Sequence, residues 1–230
     1  MTELALSPIG QELLDDPLAD ASRVRTSLGN IQRANRWLGG HAAIRFGLGR
    51  LGPFPSGRPV TLLDVGTGAG DVPRMLSRWA DRRGLQLRSI GLERSRTAAR
   101  LAMENGIPLI QGCGGALPLA DRTVDLVVMS QLAHHLDDAG CRTLFQEANR
   151  VARRGVVVAD LRRAPLAGIG FRIAATLLRF DHDTRHDGVV SLRRGFTRSR
   201  LAELVEASGI SGGRVYLRPG ARLVAVWRRA

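Results

Sequence analysis

Apolar positions in the first fifty residues recur at helical spacing. In RVRTSLGNIQRANRWLGGHAAIRFGLG, Val24, Leu28, Ile31 and Ala34 share one stripe, which Trp37 and Leu38 continue until Gly39 and Gly40 end it. LSPIGQELL, just before it, also reads as helix. A linker follows at 51–59, LGPFPSGRP, with three prolines and two glycines in nine residues. From residue 60 the pattern changes, and short apolar runs alternate with amphipathic ones. PVTLLDV, LQLRSIGLE, IPLIQG, TVDLVVMSQ and VVVADL are strand candidates. Between them VPRMLSRWADRR, SRTAARLAMENG and AGCRTLFQEANRVARRG are helix candidates, the last with a glycine stop at Gly155. The early strands show little polar alternation, as expected where helices cover both faces of a sheet. The tail adds one helix, RSRLAELVEASG, and two β runs, GRVYL and ARLVAVW, joined by a short Arg218-Pro219-Gly220 turn. These elements predict a doubly wound α/β fold, mostly parallel, with an antiparallel C-terminal edge hairpin and an N-terminal helical cap. The expected boundaries are 1–58 for the cap and linker and 59–230 for the main domain. Within the latter, about 163–197 reads as a lid-like insertion.

Composition changes this picture in three places. Hydrophobic residues make up 44% of 230, enough for one sizeable core. Two cysteines, Cys113 and Cys141, are too few for a disulfide framework and point to a reducing, cytoplasmic setting. The first twenty residues carry five acids and no base, unlike a secretory or transit leader, and the apolar stretch 166–178 is interrupted by Arg172 and too short to cross a membrane. The net charge is +13, and every base is arginine. Residues 1–149 hold 17 arginines against 15 acids, while 150–230 hold 17 against 6. A basic C-terminal third suits a solvated face, an anionic small molecule, an acidic partner or membrane surface, or a nucleic acid backbone. With one tyrosine and six phenylalanines there is no evident platform for base stacking, so nucleic acid is the minor alternative. Composition leaves the oligomeric state open.

The candidate chemistry begins at DVGTGAGDV, 64–72. Gly66, Gly68 and Gly70 follow the first strand and open a helix, where missing side chains let backbone approach a ligand. No Gly-Lys-Ser/Thr follows, which excludes an ATP-type phosphate loop. The third glycine of a dinucleotide loop would fall at 71, which is Asp71. A pyrophosphate would face that carboxylate across the helix N-terminus, although Asp71 could equally cap the helix. Asp64 and Asp71 suit a positively charged cofactor without phosphate, such as S-adenosylmethionine. Glu93, ending the second strand in GLERS, is placed to accept ribose hydroxyls.

In these segments the sequence resembles the seven-stranded, class I S-adenosylmethionine-dependent methyltransferases of the bacterial small-molecule type. LLDVGTGAGDVP matches the acidic-x-Gly-x-Gly-x-Gly loop, GLERS the acidic site after strand two, ALPLADRTVDLVVMSQLAHHL the approach to strand four, and RRGVVVADLRR strand five. The resemblance implies a seven-stranded sheet with a reversed last strand at ARLVAVW. It also implies a cofactor held by Asp64, Gly66, Thr67, Gly68, Gly70, Asp71, Glu93, Arg94, Cys113, Gly114 and Ser130. Cys113 departs from the pattern, since the family usually has an acid there to meet the adenine amino group and a thiol is a weak acceptor.

For the acceptor, His134 and His135 follow strand four, where the transferred methyl is expected; either is a candidate base for a hydroxyl. Trp37, Phe171, His182, Arg185 and His186 are candidate substrate residues. The cluster RFDHDTRHD has no compact ligand spacing, so no metal is expected there. The expected activity is methyl transfer to a small apolar acceptor, a phenolic or polyketide hydroxyl. Carbon methylation of a quinone precursor, RNA methylation and non-catalytic cofactor binding are the alternatives. The Asn/Asp-Pro-Pro-aromatic signature of base amino methylation is absent from SQLAHH.

Overall fold

The computed structural model describes residues 4–16, 18–54 and 57–229. Pro55 and Ser56 of the expected linker lie outside the described residues. Seven strands form one sheet in the order β3-β2-β1-β4-β5-β7-β6. They are β1 (Val60–Val65), β2 (Leu87–Glu93), β3 (Leu109–Gln111), β4 (Val124–Ser130), β5 (Ala152–Leu161), β6 (Arg214–Arg218) and β7 (Arg222–Arg228). The first five run parallel; β7 pairs antiparallel with β5 and β6, Val157 facing Val226 and Tyr216 facing Val224. Chain order reverses between β1 and β4, and a crevice opens beyond the carboxyl ends of strands at such a switch point.

The described residues form eight helices: α1 (Ala21–Trp37), α2 (Gly40–Leu51), α3 (Asp71–Asp81), α4 (Arg96–Glu104), α5 (Asp138–Val151), α6 (Ala167–Leu177), α7 (His182–Arg194) and α8 (Arg198–Ala207). Alternate strand residues divide between two cores. Leu62, Leu126, Val128 and Val157 pack with Ile44 and Leu48 of α2 and Leu76 and Trp79 of α3. Leu63, Val127, Met129 and Val156 pack with Leu144 and Phe145 of α5 and Leu201 and Leu204 of α8. Thus α2 is a layer of the sheet. The elements standing over the crevice are residues 4–16, α1, α6 and α7. A small cluster of Val24 and Leu28 with Ala98 and Leu101 fastens α1 to α4.

Two expected boundaries differ. Helix α5 ends at Val151, and Gly155 lies inside β5, where a Cβ would sit 2.5 Å from the Trp227 carbonyl oxygen of β7. Gly155 therefore permits strand pairing at close approach and does not stop a helix. LSPIGQELL is mostly irregular, with one 3₁₀ turn at Leu13–Asp15. Its backbone bonds instead to the segment after β4: Ser7 N donates to His135 O, and Asp137 N to Ala5 O. Among the described residues no helix is long and apolar enough to cross a membrane.

Candidate active site

The carboxyl ends of β1, β2 and β4 open into a cavity of about 1280 Å³. A single ligand site usually measures about 300–1,000 Å³, so this one has room for a cofactor and an acceptor together. At its floor the loop 66–70 leaves β1 with Gly66, Gly68 and Gly70 all at positive φ (72°, 56° and 78°). At Gly70 a second demand coincides, because a Cβ would lie 2.5 Å from Ile107 Cγ1. The loop is held from β2: Glu93 Oε2 accepts from Gly68 N at 2.9 Å and Oε1 from Ser95 N at 2.9 Å. Glu93 is thus fixed beside the loop, with lone pairs left for a ligand diol.

Asp64 is the most unusual group in this floor. It is buried, its Oδ2 accepts from Thr67 Oγ1 at 2.7 Å, and its Oδ1 is enclosed without a partner. Burial, with Asp71 and Glu93 nearby, pushes its carboxyl up to about 8. Burial also raises Glu93. An anionic phosphate would push these acids further from ionisation, whereas a sulfonium or ammonium would favour the ionised form and give Asp64 the partner it lacks. The loop and its acids therefore fit S-adenosylmethionine.

Asp71 opens α3, whose N-cap is Gly70, and its carboxylate turns sideways. Oδ2 accepts from Asn35 Nδ2 at 3.0 Å and lies 2.9 Å from His41 Nε2. The network continues, with Gln131 Nε2 donating to Asn35 Oδ1 at 2.5 Å and Arg222 Nη1 to Gln131 Oε1 at 2.6 Å. Gln131, just past β4, takes φ 53°, a strained value for a residue with a Cβ. Arg222 is buried, and desolvation lowers its guanidinium to about 10 despite the opposing charge of Asp160. The network ties α1, α2 and β7 to the cofactor loop. His41, Asn35, Gln131 and Arg222 escape sequence inspection because they meet only in the fold. Arg94, Cys113, Gly114 and Ser130 also line the cavity.

On the acceptor side, His134 and His135 form a short 3₁₀ turn after β4, their rings 4.3 Å apart. His134 Nδ1 lies 2.6 Å from Asp160 Oδ1, and His135 Nδ1 2.7 Å from Asp15 Oδ1. Burial would raise Asp160, but the facing His134 and the Leu161 amide outweigh it and hold the carboxyl below its usual range. Burial likewise opposes the His135 and Arg194 hydrogen bonds that hold Asp15 well below its usual range. Both carboxylates are therefore ionised acceptors. Each imidazole thus has Nδ1 against a carboxylate and Nε2 toward Glu12, 3.9 Å from Oε1 for His134 and 3.8 Å from Oε2 for His135. His134 Nε2 is buried and without a hydrogen-bond partner. Asp137 itself caps α5, accepting from Gly140 N at 2.7 Å, which leaves both histidines to the cavity.

Glu12 and Asp15 reach this site from the N-terminal segment. Arg194 of α7, 4% exposed, binds both: Nη1 to Glu12 Oε1 at 3.1 Å and Nη2 to Asp15 Oδ2 at 2.7 Å. It also donates to the carbonyls of Ile9 and Gly10. Burial raises Glu12 ahead of the lowering effects of His135, Ser191 and Arg194. Donor atoms of Glu12, His134 and His135 lie within 4.8 Å of one another, the one grouping with metal-ligand proximity among the described residues. Arg194 already places positive charge against Glu12, so a cation there would meet a guanidinium.

Of the candidate substrate residues, Trp37 and Phe171 line the cavity, and a Cβ at Gly188 would run into the Phe171 ring. His182, Arg185 and His186 do not line it. The period of α7 turns them outward, with the His182 side chain 95% exposed, and brings Thr184, Gly188 and Ser191 inward.

Residues 62–155 match the family model described as a methyltransferase domain. No curated protein matches the chain. Among solved structures it is similar to a SAM-dependent methyltransferase from Aquifex aeolicus, with 18% identity, TM-score 0.63, and coverage of 92% of this chain and 99% of the other. Human N-acetylserotonin methyltransferase in complex with SAM gives 15% identity and TM-score 0.66, over 96% of this chain and 59% of the human one. The CurJ carbon methyltransferase gives 11% identity and TM-score 0.55, over 77% of this chain and 50% of that one. Such identities speak for the shared fold, which serves different acceptors. Residues 62–155 thus resemble a methyltransferase domain, and the seven-stranded fold built around them is shared with solved structures of S-adenosylmethionine-dependent methyltransferases.

Proposed function

We propose that the enzyme methylates a hydroxyl of a small, largely apolar acceptor of phenolic or polyketide type, with His134 as the base. The observation that supports this reading is the buried Nε2 of His134, without a hydrogen-bond partner and 3.9 Å from Glu12 Oε1, on a ring oriented through Nδ1 by ionised Asp160. Bound S-adenosylmethionine supplies an electrophilic methyl on sulfur. His134 Nε2 would take the hydroxyl proton, leaving an oxygen nucleophile toward the methyl that the bound donor would supply, and Asp160 would steady the resulting imidazolium. His135, oriented by Asp15, stands beside it and borders the same space. Trp37, Phe171, Ala174 and Phe180 offer the acceptor an apolar wall. Residues 4–16, α1, α6 and α7 act together as the cover over that space, and the cysteine content supports a cytoplasmic setting. Carbon methylation of a phenolic ring starts from the same deprotonation, and product analysis separates the two outcomes.

The test combines an acceptor screen using labelled methyl donor with the His134→Asn and Asp160→Asn variants. His134→Asn is expected to keep cofactor affinity and lose about 10²–10⁴-fold in kcat. Asp160→Asn should lose less. Full turnover in His134→Asn would remove the base from the mechanism.

A further inference from the structure

Helix α6 is apolar on two sides. Ala167, Gly170, Phe171 and Ala174 face the cavity. On the outer side Leu166, Ile169, Ile173 and Leu177 are 75, 56, 59 and 78% exposed. Their spacing of three, four and four puts them on one stripe, and they are four of the ten exposed large hydrophobics among the described residues. A contiguous exposed stripe of this kind calls for something to cover it.

Beside the stripe, between α6 and α7, runs an open groove of about 510 Å³ lined by Arg172, Thr176, His182, Arg185, His186, Val189, Val190 and Arg193. No carboxylate lines it. The three arginines are exposed and make no ion pair with a carboxylate among the described residues; Arg185 Nε donates to the Phe180 carbonyl. Of the neighbouring acids, Asp181 caps the helix, Asp183 pairs with Arg23 and lies 3.8 Å from His182, and Asp187 accepts from Leu13 N and lies 3.2 Å from His186, so none of them meets the three groove arginines. An aliphatic stripe flanked by a cationic groove has the two-part chemistry of a helix lying in a membrane interface, with aliphatic side chains among acyl chains and guanidiniums on anionic headgroups.

We propose that α6 and the α6–α7 groove form a docking surface for anionic lipid bilayers. The inner face of the same helix walls the acceptor cavity, so docking brings an apolar acceptor dissolved in the bilayer to the edge of the site. The arginines and histidines that the cavity does not use thereby acquire a role.

The test is co-sedimentation of the full chain with vesicles of phosphatidylcholine alone or with about 30 mol% phosphatidylglycerol, at low and moderate salt. The expected result is binding to the phosphatidylglycerol vesicles that weakens with salt, and little binding to the neutral ones. Ile169→Asp with Ile173→Asp, and separately Arg172→Glu with Arg193→Glu, should each lower that binding about tenfold or more while leaving S-adenosylmethionine affinity unchanged. No vesicle binding by the wild type would overturn the proposal. So would equal binding by all three proteins, or a dimer broken by the Ile169/Ile173 change in a chain that ignores vesicles. Since vesicle binding requires no turnover, failure here is distinguishable from failure of the acceptor assignment.

Discussion

Replacing Asp64 with Asn probes the cofactor claim through a proton. In the ligand-free protein the Asp64 carboxyl is pushed up to about 8 by burial and the nearby acids. It is then about 90% protonated at pH 7 and about 99% at pH 6. If the cationic end of S-adenosylmethionine pairs with Asp64 Oδ1, binding requires the ionised form and releases close to one proton. Affinity then scales with the ionised fraction and rises about ninefold from pH 6 to pH 7, or about 1.3 kcal/mol. The methionine ammonium stays largely charged over this interval, so the ligand contributes little of the slope. Titration calorimetry in two buffers of different ionisation heat measures both affinity and proton release. Glu93 is also raised by burial, so the decisive quantity is the difference between wild type and Asp64→Asn, whose slope should be flat. A wild-type affinity that changes less than about twofold, with no proton released, would refute the pairing. The same shift has a stability consequence. A carboxyl raised from 3.8 toward 8 contributes stability that is complete below 3.8 and lost as pH climbs toward 8. Ligand-free Asp64→Asn should therefore melt above the wild type at pH 8, by a margin that narrows toward pH 5.

Arg194→Met leaves Glu12 and Asp15 buried without their guanidinium. A loss of about 3–5 kcal/mol, or about 6–20 °C in Tm, is expected by scanning calorimetry, with new protease cleavage within residues 9–16. Gly70→Ala meets both positive φ and the Ile107 side chain; calorimetry should record at least about a tenfold loss of S-adenosylmethionine affinity, and unchanged affinity would clear the loop of that constraint. Asp15, held well below its ordinary value, contributes stability that is present above about pH 4 and disappears as pH falls. Pepsin sensitivity of residues 9–16 should accordingly rise below about pH 3, and an Arg194→Met protein should be sensitive already at the upper end of that range.

The sheet was legible because each of its first five strands is a short apolar run between amphipathic ones, and apolar period is a local property. Gly155 misled because a glycine after a helical pattern resembles a stop; the close approach of β7 that requires it is invisible locally. The cofactor loop was equally local, with Gly66, Gly68, Gly70 and Glu93 within two adjacent strands and their turns. The acceptor side was not. His134 and His135 stood out as a pair, but their partners Asp160 and Asp15 are 26 and 120 residues away. The acidic N-terminal run gave one missed signal, since Glu12 and Asp15 sit among apolar neighbours. His182, Arg185 and His186 drew attention as a polar cluster, yet helical period turned them away from the cavity. Linear proximity of polar residues is no guide to a shared pocket when 100° separates each from the next.

The strap made by Arg194 also bears on the order of assembly. Its bonds to Glu12 and Asp15 close loops of 182 and 179 residues, most of the described chain. The clamp on the glycine loop, by contrast, closes over a short separation: Gly68 and Glu93 are 25 residues apart. Long closures come late because their entropy must be lost before any contact rewards it. A chain part-way through folding can therefore form the Gly66–Gly70 loop before Arg194 has met Glu12 and Asp15. The clamp on the glycine loop needs only neighbouring strands, whereas the Arg194 contact is completed only when residues 9–16 meet α7.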